Sequence, residues 1–146
     1  MRTSTYNIFY TDDDIDDQIV FKEVVGDISS HYYVYTQNDG DELLNLLKSP
    51  PPQAGLIFLD LNMPNKNGYE VLEELRKCNL AGQIPVIVIS TSSDETAIST
   101  SRALGAAMYI TKPSSYTEFK KIMRSVLDMD WHAMKITSSN FAYNVN

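Results

Sequence analysis

The stretch Gly55-Leu56-Ile57-Phe58-Leu59-Asp60, continued by Leu61-Asn62-Met63-Pro64-Asn65-Lys66-Asn67-Gly68, decides how the chain folds. Four apolar residues in succession, bounded by Gly on one side and turn-forming Asn, Pro and Gly on the other, read as a short strand buried on both faces. Asp60 ends that strand. A carboxylate there stands at the rim of the core, partly dry and held still by the sheet, and burial raises its pKa unless a cation or a donor offsets it. Taken alone, an Asp at such a place serves equally well to start a turn.

Working outward, Gly40, Gly55, Gly68, Gly82 and Gly105 punctuate the chain, as do Pro50–Pro52, Pro64, Pro85 and Pro113. The segments between them alternate in kind. Asn7–Tyr10, Tyr32–Tyr35, Leu56–Leu59, Val86–Ile89 and Ala107–Ile110 are short, apolar or aromatic and often β-branched, so they read as strands. The helical stretches are Asp14 to about Asp27 with Ile15, Ile19 and Val20 on one face, Asp41–Lys48 capped near Asn38 or Asp39, Gly68 to about Cys78, Asp94–Leu104, and Ser115 to about Leu127. Five βα units in a row, with continuously apolar strands, mean an α/β protein whose parallel sheet is covered on both faces. Right-handed crossovers leave the doubly wound order 2-1-3-4-5 as the favoured topology. Five units are too few for an eight-stranded barrel. Ligands in such sheets bind beyond the carboxyl ends of the strands where the strand order reverses, which is where the third strand delivers Asp60.

The chain has 146 residues, 43% of them hydrophobic, which suits one domain: residues 1–127, followed by a tail at 128–146. A net charge of -7 argues against a nucleic-acid surface. No apolar run approaches the roughly 18 residues that span a bilayer, and the first ten residues hold no apolar signal core. With Cys78 as the only cysteine there is no internal disulfide, and a cytoplasmic setting is expected; Cys78 itself reads as a passive helix residue.

Four strand ends carry the chemistry. The first ends in Thr11-Asp12-Asp13-Asp14, the third in Asp60, the fourth in Ser90, and the fifth is followed by Lys112-Pro113. Asp12, Asp13 and Asp60 at one rim repel, and a divalent cation resolves the repulsion. Hard oxygen donors without Cys or clustered His suit Mg²⁺. Lys112 adds a compact positive charge and Ser90 a hydroxyl. Carboxylates with Mg²⁺, an ammonium and a hydroxyl make a site for a transferring phosphoryl group, and Asp60, at the centre, is the natural carboxylate acceptor. Asp14, Asp16 and Asp17 read as cap and dipole acids of the first helix.

Thr11-Asp12-Asp13, Leu59-Asp60-Leu61-Asn62-Met63-Pro64, Gly68, Ile89-Ser90 and Lys112-Pro113 together resemble the receiver domain of bacterial two-component response regulators. The resemblance covers about residues 6–127. It implies the flavodoxin-like (βα)5 fold. It also implies that Asp60 accepts a phosphoryl group from a histidine kinase or a histidine phosphotransfer protein, that Asp13 and Asp60 bind Mg²⁺ directly, and that Asp12 does so through water and Asn62 through its backbone carbonyl. Lys112 and Ser90 would contact the phosphoryl oxygens. Tyr109 matches the aromatic switch position, which turns inward when the hydroxyl residue moves toward the phosphate. The Lys112–Pro113 bond matches one that is cis in the family. Ser90 stands where Thr is commoner, and Thr91 where a smaller residue is frequent, which bears on access to the phosphoryl group.

Such a protein is not an enzyme acting on outside substrates; its chemistry is its own phosphorylation and autodephosphorylation. Residues 128–146 are too few for a DNA-binding or catalytic domain, so the expectation is a stand-alone receiver whose output is a protein contact through the helix 4–strand 5–helix 5 face, with a homodimer possible. Two other functions fit the same residues: a constitutive docking adaptor that needs no phosphorylation, and a carboxylate-based phosphohydrolase, which the lack of a cap domain and of a substrate-pocket motif disfavours. Asp12, Asp14, Asp16, Ile19 and Glu23 imitate a calcium loop, but Asp17 occupies the position that needs Gly. In the tail, Trp131, Met134 and Ile136 are apolar enough to pack back on the domain or on a partner, and packing back is the expectation. Phe141, Tyr143 and Val145 alternate as a strand added to a neighbour would, and His31 and His132 lie away from the rim.

Overall fold

The computed structural model describes residues 6–48, 55–64, 66–77, 84–131 and 141–143. Cys78, His132, Met134, Ile136 and Val145 lie outside them, so nothing is said of the expectations placed there. Five strands, β1 (Tyr6–Thr11), β2 (Tyr32–Gln37), β3 (Leu56–Asp60), β4 (Val86–Ser90) and β5 (Met108–Thr111), alternate with five helices. The helices are α1 (Ile15–Ile28), α2 (Gly40–Lys48), α3 (Gly68–Lys77), α4 (Glu95–Ala103) and α5 (Tyr116–Leu127). The strands form one parallel sheet in the order β2-β1-β3-β4-β5.

Alternation along the strands explains the two layers. Ile8 and Tyr10 of β1, Leu56 and Phe58 of β3, and Ile87 and Ile89 of β4 point to the side where Phe21, Val24 and Val25 of α1 and Phe119, Ile122, Met123 and Val126 of α5 complete a core. Phe9, Ile57, Leu59 and Val88 point the other way, onto Leu43 and Leu44 of α2, Val71, Leu72 and Leu75 of α3, and Ala97 of α4. Both β3 and β4 are buried throughout, as their unbroken apolar runs require.

Element ends are set by local chemistry. Asp14 caps α1 by accepting from the N–H groups of Asp16 and Asp17. Asp39 caps α2 through the N–H of Glu42, while Glu42 reaches back to the N–H of Asn38. Asn67 and Glu70 form a reciprocal capping box on α3, and Ser115 caps α5 through Glu118. Gly105, at φ +103°, ends α4 in the left-handed region that other residues avoid.

One expectation about α1 is corrected. Ile15 and Ile19 are 54% and 50% exposed, and the face that enters the core is Gln18, Phe21, Val24 and Val25. The helix carries two apolar stripes. Gln18 decides between them, because its amide is needed inside: it donates to the Asp12 carbonyl at 2.7 Å and to the Asn38 side chain at 2.9 Å. Because residues 15–28 are helical and β1 precedes them, the calcium-loop geometry is not formed.

Candidate functional site

Sheet register brings the strand tips to one level. Thr11 lies beside Leu59, Asp60 beside Ile89, and Ser90 beside Thr111, so Asp12, Asp60, Ser90 and Lys112 leave four adjacent strands together. Gly68 makes the rim compact. A Cβ there would stand 2.6 Å from the Asp60 carbonyl oxygen and 2.7 Å from the Leu61 Cα, so only Gly lets α3 start this close to the end of β3. The Gly68 N–H donates to the Leu61 carbonyl across the same turn.

Asp12, Asp13 and Asp60 each offer a carboxylate oxygen within 4.8 Å of the others. Asp12 and Asp60 are buried and Asp13 is exposed, so the cluster opens to solvent on one side. Lys112 is the counter-charge: its Nζ lies 2.9 Å from Asp12 Oδ2, 3.0 Å from Asp17 Oδ2 and 3.7 Å from Asp60 Oδ1. Three carboxylates thus face one ammonium, Asp13 adds a fourth to the cluster, and the rim carries a surplus of negative charge. The donor set fits a hard divalent cation: three carboxylate oxygens from three backbone positions, close enough to share one ion and under-neutralised by Lys112.

The protonation of these groups follows from their surroundings. Burial pushes the Asp60 carboxyl up to about 6; Lys112 opposes this, Asp12 and Asp13 add to it, and the Asn62 backbone N–H, which donates to the carboxylate, opposes it. For Lys112, burial favours the neutral amine but is outweighed by the hydrogen bond to Asp12, the charges of Asp60 and Asp12 and the bond to Asp17, so the ammonium is held well above its usual range. Tyr10 is held neutral by burial and by the Asp12 charge and hydrogen bond.

The other expected residues fall as follows. Asn62 follows Asp60 in an exposed turn, its N–H on the Asp60 carboxylate. Ser90 is fully buried at the tip of β4, and its hydroxyl accepts from the Ser92 N–H at 3.2 Å. Thr91 is exposed. Tyr109 is already buried: its hydroxyl donates to the Ser92 carbonyl at 2.7 Å, while its own N–H and carbonyl pair with the Phe141 carbonyl and the Tyr143 N–H. Lys112–Pro113 is trans, against the expectation of a cis bond; X-Pro isomers lie close in energy, so sequence alone does not settle the choice.

Two residues at the site had escaped the sequence reading. Asp17, taken as a helix-dipole acid, turns to Lys112 instead. Tyr10 donates to Asp12 Oδ2 at 2.7 Å, opposite the Asp14 N–H that binds Oδ1 at 3.0 Å. A hydroxyl-bearing residue two positions before Asp12, on the same pleat, was the available signal. Beside the rim a cleft of about 240 Å³ opens between α1 and the β5–α5 loop, lined by Tyr10, Asp17, Val20, Lys112 and the 113–116 turn with Phe119.

Comparison with known proteins gives one consistent answer. Residues 8–124 match the family described as response regulator receiver domain. A probable transcriptional regulator ycf27 of Porphyridium aerugineum is 41% identical over 96 residues, 66% of this chain and 38% of that protein. The chain therefore spans well under half the length of that relative. Among solved structures, the phosphorylated cyanobacterial phytochrome response regulator RcpA superposes with a TM-score of 0.80 at 30% identity, over 92% of this chain and all of the other. The Mn²⁺-bound form of response regulator Rcp1 gives 0.77 at 26%, over 91% of this chain and 99% of the other.

Proposed function

The chain belongs to the response regulator receiver domain family, and from that premise we propose that it is a phosphorylatable switch in two-component signalling, with Asp60 as the phosphoacceptor. One observation carries the reading: Asp12, Asp13 and Asp60 converge within 4.8 Å at the sheet rim while Lys112 spans Asp12 and Asp60. A histidine kinase or a histidine phosphotransfer protein supplies the phosphoryl group. A carboxylate oxygen of Asp60 attacks phosphorus, the P–N bond to the donor imidazole breaks, and its electron pair stays on the imidazole nitrogen. Lys112 lies where it neutralises charge on the incoming phosphoryl oxygens. Ser90 offers its hydroxyl from β4 and Tyr109 reports the change on β5.

Asp12, Asp13 and Asp60 would hold Mg²⁺, with the Asn62 carbonyl beside them; when bound, the ion neutralises charge shared between the carboxylates and the phosphoryl oxygens. The Mn²⁺-bound Rcp1 structure supports a divalent ion in a receiver of this kind. Ionised Asp60 is the nucleophile, so whatever lowers its pKa from about 6 enlarges the competent fraction.

The phosphodonor approaches along α1. Ile15 and Ile19 stand exposed on the first two turns of that helix, next in sequence to the acidic run Asp12–Asp14, and offer it an apolar contact area. No helix among the described residues is long and apolar enough to cross a membrane. The reading places the protein in the cytoplasm, without turnover of outside substrates and with its output through α4, β5 and α5.

Intact-mass spectrometry after incubation with Mg²⁺ and acetyl phosphate tests the proposal. One phosphoryl group is expected on the unmodified chain and none on Asp60→Asn. An unchanged mass for the unmodified chain, with no Mg²⁺ binding by calorimetry, would refute it.

A further inference from the structure

Tyr109 is the second of the four residues of β5, and β5 is an edge strand. Its outward main chain is not left open. The N–H of Tyr109 donates to the Phe141 carbonyl at 2.9 Å, and its carbonyl accepts from the Tyr143 N–H at 2.8 Å, so residues 141–143 lie alongside β5 as a parallel bridge centred on Ala142. Phe141 is buried to 1% exposure within the same core layer as Ala97, Ala106 and Tyr109. The edge is therefore a built acceptor: a main-chain donor and acceptor in register, with a socket for one aromatic ring beside them.

We propose that the β5 edge is a strand-acceptor site, that the Phe141–Ala142–Tyr143 segment is its occupant in cis, and that the output partner enters with an extended segment of the same aromatic–small–aromatic chemistry, displacing the tail. Strand addition to a free edge draws its affinity from main-chain bonds and its selectivity from pockets for alternate side chains, the two elements found here. Tyr109 also ties this edge to the acidic rim. Its hydroxyl is held by the Ser92 carbonyl, and the Ser92 N–H is held by the Ser90 hydroxyl, so occupancy of the edge and rearrangement at Ser90 act on one chain of contacts. The acceptor site stands on the geometry of β5; only its role as the output face rests on the function proposed above.

The test uses the full chain and a labelled peptide of residues 139–145, read by fluorescence anisotropy. Phe141→Ala combined with Tyr143→Pro empties the edge, and this variant is expected to bind the peptide about tenfold more tightly than the unmodified chain, whose site is filled. The same peptide with its Phe replaced by Ala should not bind. Equal affinity for both proteins, or none for either while the variant keeps its thermal transition, would overturn the proposal. Should the variant fail to fold, hydrogen exchange of the unmodified chain decides: protection of the Tyr143 amide, lost on adding excess peptide, supports it, and exchange at the free-peptide rate sinks it. A dimer of the unmodified chain held by exchanged tails would also overturn it, since the tail would then be the partner and not the guard. A failure of Asp60 to accept phosphate would leave each of these results standing.

Discussion

The acidic rim and the β5 edge lie at neighbouring places on one sheet and are built on opposite terms. At the rim, charged side chains from three strand ends are forced together, and burial pushes Asp60 up to about 6, so the site works against the fold. At the edge, main-chain groups pair and a phenyl ring is buried, so the tail works for the fold. The rim is held by the Lys112 ammonium; the edge is held by main-chain hydrogen bonds and one buried ring. A region that stores unfavourable charge responds to a phosphoryl group or an ion, whereas a region held by apolar burial responds to a competing segment. Stability measurements separate the two by their pH and ion dependence.

The largest effect is expected from Lys112→Ala. Removing the cation leaves Asp12 and Asp60 buried without their counter-charge, a loss of about 3 kcal/mol near pH 8 in urea unfolding. The loss should shrink toward pH 5, as Asp60 takes up a proton, and Mg²⁺ should restore part of it. A pH-independent loss untouched by Mg²⁺ would mean that Lys112 acts through packing, and the contrast between the regions would fail. Phe141→Ala comes next, at about 1.5–3 kcal/mol for the loss of one buried aromatic ring. Its cost should be flat from pH 5 to 8 and indifferent to Mg²⁺.

Asp60→Asn should move the other way. Its folded pKa, about 6, lies above the ordinary 3.8, so the fold binds a proton more tightly than the unfolded chain does. The stability this confers is present below about 3.8 and lost as pH rises through 6. Asn keeps the shape without the charge, so the variant should match the unmodified protein near pH 3.5 and exceed it by about 1–3 kcal/mol at pH 8. Lys112, having lost one partner, trims the gain. Equal stability of the two proteins at pH 8 would show that the rim is not strained by Asp60.

Much of this was legible in the chain, for reasons that differ by region. The unbroken apolar runs of β3 and β4 specify a parallel sheet because a strand buried on both faces tolerates nothing else, and both strands begin where those runs begin. The tip residues Asp12, Asp60, Ser90 and Lys112 were legible because a doubly wound sheet delivers its strand ends to one rim. The inward face of α1 was not, since Ile15 and Ile19 are as apolar as Phe21 and Val25, and only the polar ties of Gln18 fix the rotation. Asp17 was missed because its partner Lys112 is 95 residues away. The tail was half legible: the alternation of Phe141 and Tyr143 marks an extended segment, but nothing local says that it returns to β5 of its own chain.

The smallest effect sharpens the comparison most, because it falls where the rim meets the core. Tyr10 stacks on Phe21 with ring centroids 4.1 Å apart, and its hydroxyl reaches Asp12 Oδ2. Tyr10→Phe keeps the stack and removes one hydrogen bond, a cost of about 1 kcal/mol in unfolding. Asp12 is then held by Lys112 and the Asp14 N–H alone. If the hydroxyl orients that carboxylate for an ion, Mg²⁺ affinity should fall by about tenfold, the usual weight of a group that positions a ligand. A variant that loses the stability but keeps its Mg²⁺ affinity would assign the phenol to the core and confine the rim to its charged residues.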